Sequence, residues 1–269
     1  METLSQHRRP EVGALLRDWR QRRRFSQLAL ALEAEISPKH LSFLESGRAR
    51  PSREMLLHLA DCLEVPLRDR NRMLVAAGFA PAFQERALDD PGFADVRHAI
   101  DQVLTGHEPY PALAVDRHWT LVAANRGIAP LIATAAPHLL QPPVNVLRLS
   151  LHPEGLAPRI LNLSQWRAHI LSRLRRQAEH SADPILATLL EELRGYPDIS
   201  DAPAVRLADD APLAAVVPLQ LLTEHGTLSF ISTTMVFGMP VDITSAELAI
   251  ESFFPADAIT ADLLRRPGG

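Results

Sequence analysis

The residues with the most specific chemistry stand at 37–47, where the sequence predicts a short helix. Ser37 is a good N-cap, Pro38 suits the first helical position, and Gly47 suits the end of the helix. An α-helix fits the major groove of DNA, where polar, basic and aromatic side chains can distinguish base pairs. Side chains of these kinds occupy the outward positions Pro38, Lys39, His40, Ser42 and Phe43. The stretch is therefore a candidate for reading a base sequence.

A second helix must hold this recognition helix in place, and the sequence predicts it at about 27–34, after the N-cap Ser26. The two helices cross at apolar residues such as Ala31 and Leu41, and Ala31 must be small because the crossing is close. The free backbone N–H groups at Gln27 can face a phosphate. Together the two helices predict a helix-turn-helix.

Three further helices complete the predicted N-terminal domain, residues 1–80, which we call the head. The first spans about 11–23, with apolar residues at helical spacing. The fourth follows the N-cap Ser52, and the fifth spans about 66–76. Residues 1–80 are therefore predicted to form an all-α domain of five helices.

This pattern resembles the lambda-repressor-like, xenobiotic-response-element (XRE) family of helix-turn-helix regulators. The resemblance covers about residues 13–65, and its markers are Leu16, Arg17, Arg20, Ser26, Gln27, Ala31, Ser37, Ser42, Glu45, Gly47 and Pro51. Arg24 and Glu35 depart from it, because the family usually has glycine at these positions. We expect Glu35 to take a left-handed conformation at a cost of about 1 kcal/mol, or the turn to differ slightly.

The resemblance implies DNA-binding roles for the matched residues. Gln27 would hold a phosphate, and Arg48 and Arg50 would grip the flanking phosphates. The residues facing bases or the adjacent backbone would be Ser37, Pro38, Lys39, His40, Ser42 and Phe43. Other interpretations stay open: Arg48 and Arg50 could lie in a solvated loop, and Phe43 could pack on a thymine methyl or on its neighbours. The arginines at 20 and 22–24 could form a solvated helix end or could contact DNA.

The rest of the chain has a different composition. Residues 81–91 contain two prolines and an acidic pair and form the predicted linker, and residues 92–269 form a second domain. The predicted elements of that domain are a helix at 92–105, a hairpin of strands at 112–115 and 119–123, helices at 163–179 and from 184 onward, a proline- and aspartate-rich loop at 197–212, and strands at 216–223, 228–237 and 246–254. Glu247 and Glu251 leave a helix possible in the last segment. The fold class is α+β overall.

The second domain resembles the ligand-binding region of MmyB-like transcription regulators, which is PAS-like. The resemblance rests on the segments 111–119, 124–125, 152–155 and 158–162, and on Trp166. It implies a pocket between the sheet and the helices for a small apolar or amphipathic molecule such as a fatty acid. A sheet face and the helix that carries Trp166 could enclose such a pocket.

Ten residues are candidates for lining this pocket. They are Val115, Trp119, Asn125, His152, Asn162, Trp166, Arg167, Ile170, Leu221 and Phe230. Among them, His152, Asn162 or Arg167 could orient a polar end of the ligand. The alternatives are structural: both tryptophans could be core residues, His152 could cap a turn, and Asn125 could bond local backbone.

Composition and charge limit the partners, the location and the activities that we expect for this protein. Net charge is +4 over residues 1–80 and −8 over 81–269, which suits an anionic partner at one end only. The single cysteine allows no internal disulfide, and no apolar stretch is long enough to span a bilayer or serve as a signal peptide, so we expect a cytoplasmic protein without a membrane partner. Motifs of catalysis, metal binding and cofactor binding are missing from the sequence, so we expect no enzyme, metal site or cofactor.

Two main hypotheses follow. In the first, the chain is a regulator that binds a double-stranded DNA operator as a homodimer and senses a small ligand in its second domain. In the second, it is a constitutive repressor whose second domain only dimerises. An enzyme fused to a DNA-binding head, using His152, is a third hypothesis that lacks a partner constellation in the sequence.

Overall fold

The computed structural model describes residues 12–197, 217–237 and 242–265. The chain divides into two compact units, one made of Met1–Arg86 and Val241–Ile243 and the other of Ala87–Pro240 and Thr244–Gly269. The division after Arg86 falls inside the segment 81–91 that the sequence predicts as a linker. Most of the predicted loop at 197–212 lies outside the described residues.

The described part of the first unit contains the five predicted helices. They are α1 (Val12–Arg22), α2 (Gln27–Glu33), α3 (Pro38–Glu45), α4 (Arg53–Cys62) and α5 (Leu67–Ala76). The predicted N-caps are confirmed, because the hydroxyls of Ser26, Ser37 and Ser52 each accept a hydrogen bond from the backbone N–H three residues onward. Each cap satisfies a donor that the start of a helix leaves free.

The turn between α2 and α3 has the geometry that the sequence predicts. Glu35, in this turn, has a φ of 53°, and Arg24, between α1 and α2, has a φ of 58°, so both positions where the family usually has glycine are left-handed. Ala31 and Leu41 are fully buried at the helix crossing. Gly13 allows α1 to approach the end of α3, since a Cβ atom there would lie 2.5 Å from the carbonyl oxygen of Leu44.

A buried ion pair fastens α1 to α3. The Arg20 guanidinium donates two hydrogen bonds to the Glu45 carboxylate, at 2.6 and 3.0 Å, and a third to the carbonyl oxygen of Phe25 at 2.8 Å. The Gln27 amide donates to the same carboxylate at 2.8 Å. The side chains of Arg20 and Glu45 are 10% and 3% exposed, so the pair is shielded from water. It therefore fixes the recognition helix against the rest of the head.

The described part of the second unit contains one antiparallel sheet, in the order β2-β1-β5-β4-β3. Its strands are β1 (Ala112–Val115), β2 (Leu121–Ala124), β3 (Leu219–Thr223), β4 (Gly226–Val236) and β5 (Ala249–Pro255). The hairpin β1–β2 and the late strands confirm the sequence prediction, and the last segment is a strand rather than a helix. The central strand β5 pairs with β1 and β4.

The helices that follow the head cover both faces of this sheet. They are α6 (Ala94–Gly106), α7 (Ile128–Ile132), α8 (Val146–Leu151), α9 (Leu163–Ser181), α10 (Pro184–Arg194), α11 (Ile243–Ala246) and α12 (Ala258–Arg265). Ala112 and Ala114 of β1 pack with Ile100 of α6 on one face, while Leu113 and Val115 join the larger core of α8, α9 and α10 on the other. The alternation follows from the two-residue period of a strand.

Several short elements were missing from the sequence prediction. The proline-rich stretch 127–160 contains α7 and α8, each of six residues or fewer, and Ala258–Arg265 forms α12 after the last strand. Helices this short have little intrinsic stability and depend on packing against the rest of the domain. None of the described helices combines the length and the apolar character that spanning a membrane requires.

The first prediction concerns the buried ion pair. Replacing Glu45 by alanine leaves the Arg20 guanidinium buried without its partner, so we expect the unfolding free energy to fall by about 3 kcal/mol. The double variant Arg20→Met/Glu45→Leu removes both charges and should lose much less. Calorimetry of the full chain measures both. Equal losses in the single and double variants would contradict this interpretation.

Candidate functional site

The predicted recognition residues form a continuous exposed surface on α3 and the loop after it. Ser37, Pro38 and Lys39 are exposed at the start of the helix, and His40, Ser42 and Phe43 are partly exposed further along. Arg48 and Arg50 are exposed in the following loop. The fold therefore leaves these predicted contacts on the surface and buries Leu41 and Leu44 behind them.

Phe43 packs between two cations of this surface. The Lys39 ammonium lies 5.7 Å from the ring centroid, and the Arg48 guanidinium lies 5.8 Å from it. Both distances allow cation–π attraction. Of the two interpretations of Phe43, packing on its neighbours is thus observed in the free protein. The contact also holds Arg48 close to the recognition helix.

The arginines near the end of α1 divide into two kinds. Arg20 is buried in the ion pair with Glu45, and Arg23 donates to the carbonyl oxygens of Leu63 and Glu64, at 2.7 and 2.8 Å. Arg22 and Arg24 are exposed. Arg20 and Arg23 thus stabilise the head by holding its helices together. The run of charges in the sequence did not reveal this role.

The second unit contains an apolar cavity of about 90 Å³ between the sheet and α7, α8 and α9. Its walls are mostly leucine, isoleucine and aromatic side chains. Four of the ten predicted pocket residues line it, namely Trp119, Trp166, Ile170 and Leu221. Each of these four residues is also less than 10% exposed. Core residue and cavity wall are therefore compatible roles for the two tryptophans.

Trp119 is held in an unfavourable backbone conformation to form one wall. Its φ is 67°, in the left-handed region that bulky residues rarely adopt. Its backbone N–H donates to the carbonyl oxygen of Asp116, and its carbonyl oxygen accepts from Val146 N–H at 2.9 Å. Its indole N–H donates to Gln177 at 2.8 Å, and the Arg173 guanidinium lies 4.5 Å from the ring centroid. These contacts offset the backbone strain.

The polar end of the cavity is an ion pair that the sequence analysis missed. Arg173 of α9 donates to both carboxylate oxygens of Glu251 on β5, at 2.6 and 3.1 Å. Thr234 of β4 accepts from Arg173 and donates to Glu251, at 2.6 and 2.7 Å. The Glu251 side chain is 6% exposed. The two charged residues are 78 positions apart, so no local pattern could have paired them.

The three residues predicted to orient a ligand lie elsewhere. The Asn162 amide bonds the backbone of Pro218 and Gln220. Arg167 donates to carbonyl oxygens at the end of α10, among them that of Tyr196 at 2.7 Å. His152 accepts a hydrogen bond from the backbone N–H of Glu154, as a turn cap would. All three therefore stabilise loops outside the cavity lining.

Three further predicted pocket residues also lie outside the cavity lining. Val115 and Phe230 are buried in the core of the same layer. Asn125 is buried and bonds backbone, accepting from Ala112 N–H and donating to the carbonyl oxygens of Leu104 and Tyr110. Asn125 also accepts from Gly127 N–H, the local backbone bond that the sequence left open, but its other backbone partners are distant in the sequence.

His152 lies in a small group of possible metal ligands. Its ring is beside those of His138 and Tyr196, and ligand atoms of His138, His152 and Glu154 lie within 4.8 Å of one another. Glu192 bonds Tyr196, and burial together with this carboxylate raises the pKa of Tyr196 to about 12. His138 and Glu154 are exposed, and exposed acidic groups are common in proteins at places that hold no metal.

Comparison with known families agrees with the fold class of both domains. Residues 11–73 match the family described as a helix-turn-helix domain, and residues 96–266 match the MmyB-like transcription regulator ligand binding domain. A search of curated proteins found no match. The two domains define a DNA-binding transcription regulator with a ligand-binding domain. Since the second match covers more than half of the chain, the protein belongs to the MmyB-like transcription regulators.

The second prediction concerns Asp183, which supports the turn that carries Trp119. Its carboxylate caps α10 by accepting from Ile185 N–H at 2.9 Å, and it accepts from His118 Nε2 at 2.9 Å. Burial raises the pKa of Asp183, but these hydrogen bonds and the nearby charges outweigh burial, so the pKa lies below its ordinary value. Its contribution to stability is therefore complete above about pH 4 and is lost as the pH falls through the lower folded-state pKa.

We expect Asp183→Ala to lower the unfolding free energy by about 1 to 2 kcal/mol at neutral pH, because the cap and the ionic contact are both lost. Asp183→Asn is the matched control, since asparagine can still cap the helix. It should lose less at neutral pH and should flatten the loss of stability in acid. Denaturant titrations at several pH values measure this, and an unchanged acid profile for Asp183→Asn would contradict the assignment.

Proposed function

We propose that this regulator binds a specific DNA operator as a homodimer and that a small apolar or amphipathic ligand in its second domain controls that binding. The observation that carries the proposal is the pair of surfaces in one chain: an exposed polar and basic recognition helix, and an apolar cavity with a polar end. A single head covers few base pairs, so two heads on two half-sites are needed for specific affinity.

The DNA-reading role of α3 rests on its exposure and its rigid support. Its outward residues are free of the buried core, while Glu45 at its end is tied to Arg20 and Gln27. Gln27 is proposed as a phosphate contact through its backbone N–H and, after release from Glu45, through its amide. Lys39 and His40 would face base edges, and Arg48 and Arg50 would face phosphates.

The third prediction separates base reading from phosphate binding. Lys39→Ala/His40→Ala should reduce the preference for the operator over random DNA, while Arg48→Ala/Arg50→Ala should weaken binding to both. The second variant should also reduce the salt dependence of binding by about two phosphate contacts in each head, or about four in the dimer, since each contact contributes a slope of about 0.9. Electrophoretic assays on the upstream DNA of the protein's own gene, at several salt concentrations, measure both.

Arg72→Ala is the matched control, because this arginine lies on α5 and pairs with Asp69. It removes one positive charge from the same domain without touching α3 or its loop. Sequence preference that survives the Lys39/His40 change would show that the recognition surface is assigned wrongly.

The ligand-binding role rests on the character and place of the cavity. Its walls come from the sheet and three helices, and both Trp119 and Trp166 contribute aromatic surface. A volume of about 90 Å³ is smaller than the roughly 150 Å³ cavity that takes up benzene in a well-studied protein. A long fatty-acid chain therefore fits only if side chains move. The modest volume also favours the second candidate function, a constitutive repressor whose second domain only dimerises.

The fourth prediction distinguishes the two candidates. Organic-solvent extraction of the full chain followed by mass spectrometry should release a stoichiometric small molecule, and Ile170→Phe should abolish it by filling the cavity. Ile170→Leu conserves volume and is the control. DNA binding by the Ile170→Phe variant without any effector should persist. No extracted molecule and no thermal shift across a panel of metabolites and lipids would favour the constitutive repressor.

A further inference from the structure

The charge balance of the cavity restricts which ligands it can hold. Its charged lining residues within the described part of the chain are Arg173 and Glu251, and they neutralise each other. Both guanidinium terminal nitrogens of Arg173 already donate to Glu251, and one of them donates to Thr234 as well. These bonds use three of the five N–H groups of the guanidinium, and the two opposite charges cancel, so the cavity has no net charge to offer.

A ligand with a carboxylate would have to share the single cation Arg173 with Glu251. The Glu251 carboxylate would then remain in an apolar layer, 6% exposed, beside a second negative charge. Two carboxylates that share one cation leave a net negative charge, and the burial of Glu251 limits how far solvent can screen their repulsion, although the Arg173 side chain is 24% exposed. His169, which stacks on Trp166, offers no substitute cation near neutral pH, because burial lowers its pKa.

An uncharged polar group meets none of these costs. Glu251 Oε1 accepts from Arg173 and Thr234, while Oε2 accepts from Arg173, so one acceptor position of the carboxylate remains. Ser150, the other polar lining residue, accepts from the Trp166 indole through its hydroxyl oxygen and can still donate. A hydroxyl or amide on the ligand can donate to the first group or accept from the second.

We infer that the cavity selects an uncharged amphiphile, an apolar body with a hydrogen-bonding hydroxyl or amide, over a fatty-acid carboxylate. The inference rests on the proposed ligand-sensing function and specifies the chemistry of the ligand's polar end. The Arg173–Glu251 pair is its positioning element, because it presents a carboxylate acceptor and excludes a second anion.

The test compares two probes that share an eight-carbon chain, 1-octanol and octanoate, on the full-length protein near neutral pH. Both probes are larger than the cavity of about 90 Å³ and require the same movement of side chains, so the difference between their affinities reports on the polar end alone. Tryptophan fluorescence reports binding, since two of the three tryptophans line the cavity. Octanol should bind at least about tenfold more tightly than octanoate. Octanoate binding as tightly as octanol, or neither probe binding, would overturn the inference. This comparison needs no variant to fold.

The variant Glu251→Gln tests the cause. It removes the competing anion and leaves the Arg173 charge, so octanoate affinity should rise at least about tenfold while octanol affinity changes little. Glu191→Gln is the matched control, because it removes an exposed carboxylate that pairs with Arg194 on the surface. An octanoate affinity unchanged by Glu251→Gln in the folded variant would refute the role of the pair.

The extraction experiment distinguishes a failure of this inference from a failure of the proposed function. An extracted ligand with a carboxylate would overturn the inference and support ligand sensing. An extracted alcohol or amide would support both. A chain that yields no ligand, binds neither probe and shows no thermal shift would overturn both.

Discussion

A charged residue on the apolar face of the central strand is the constraint that organises the second domain. Glu251 lies in β5 between Leu113 of β1 and Thr234 of β4, inside the layer that packs on α9. A carboxylate in such a layer needs a cation, and Arg173 supplies it from the helix. Arg173 lies three positions after Ile170, so both residues share the face of α9 that lies over the sheet, together with the buried Trp166 and Leu174.

The elements that the sequence predicted well are those specified by local signals. Serine caps and helical spacing predicted the five helices of the head within one or two residues of their observed bounds. The same signals predicted α9 and the start of α10 in the second domain. The polar residues were harder to place. His152, Asn162 and Arg167 looked available for a ligand, yet each bonds backbone that folding brings to it. Glu251 and Arg173 carried no signal, because their partnership arises only when a strand and a helix pack together.

The head and the second domain each contain an ion pair that joins two elements, and the two pairs have different roles. In the head, Arg20 and Glu45 hold the recognition helix at a fixed position, so that exposed side chains meet DNA without further ordering. In the second domain, Arg173 and Glu251 line the cavity instead of joining two closely packed surfaces. In both pairs a buried carboxylate depends on one arginine, so separating the two elements would leave that carboxylate without its partner.

Trp119 occupies a backbone position that glycine would adopt more easily. Its left-handed φ costs about 1 to 2 kcal/mol, and its indole ring forms part of the cavity wall. Consensus-style engineering would choose glycine at this turn to relieve the backbone. That choice would enlarge the cavity, take the indole donor away from the Gln177 amide oxygen and remove the ring that Arg173 covers. The easiest stabilising change by backbone criteria is therefore the one that would erase the shape of the binding space.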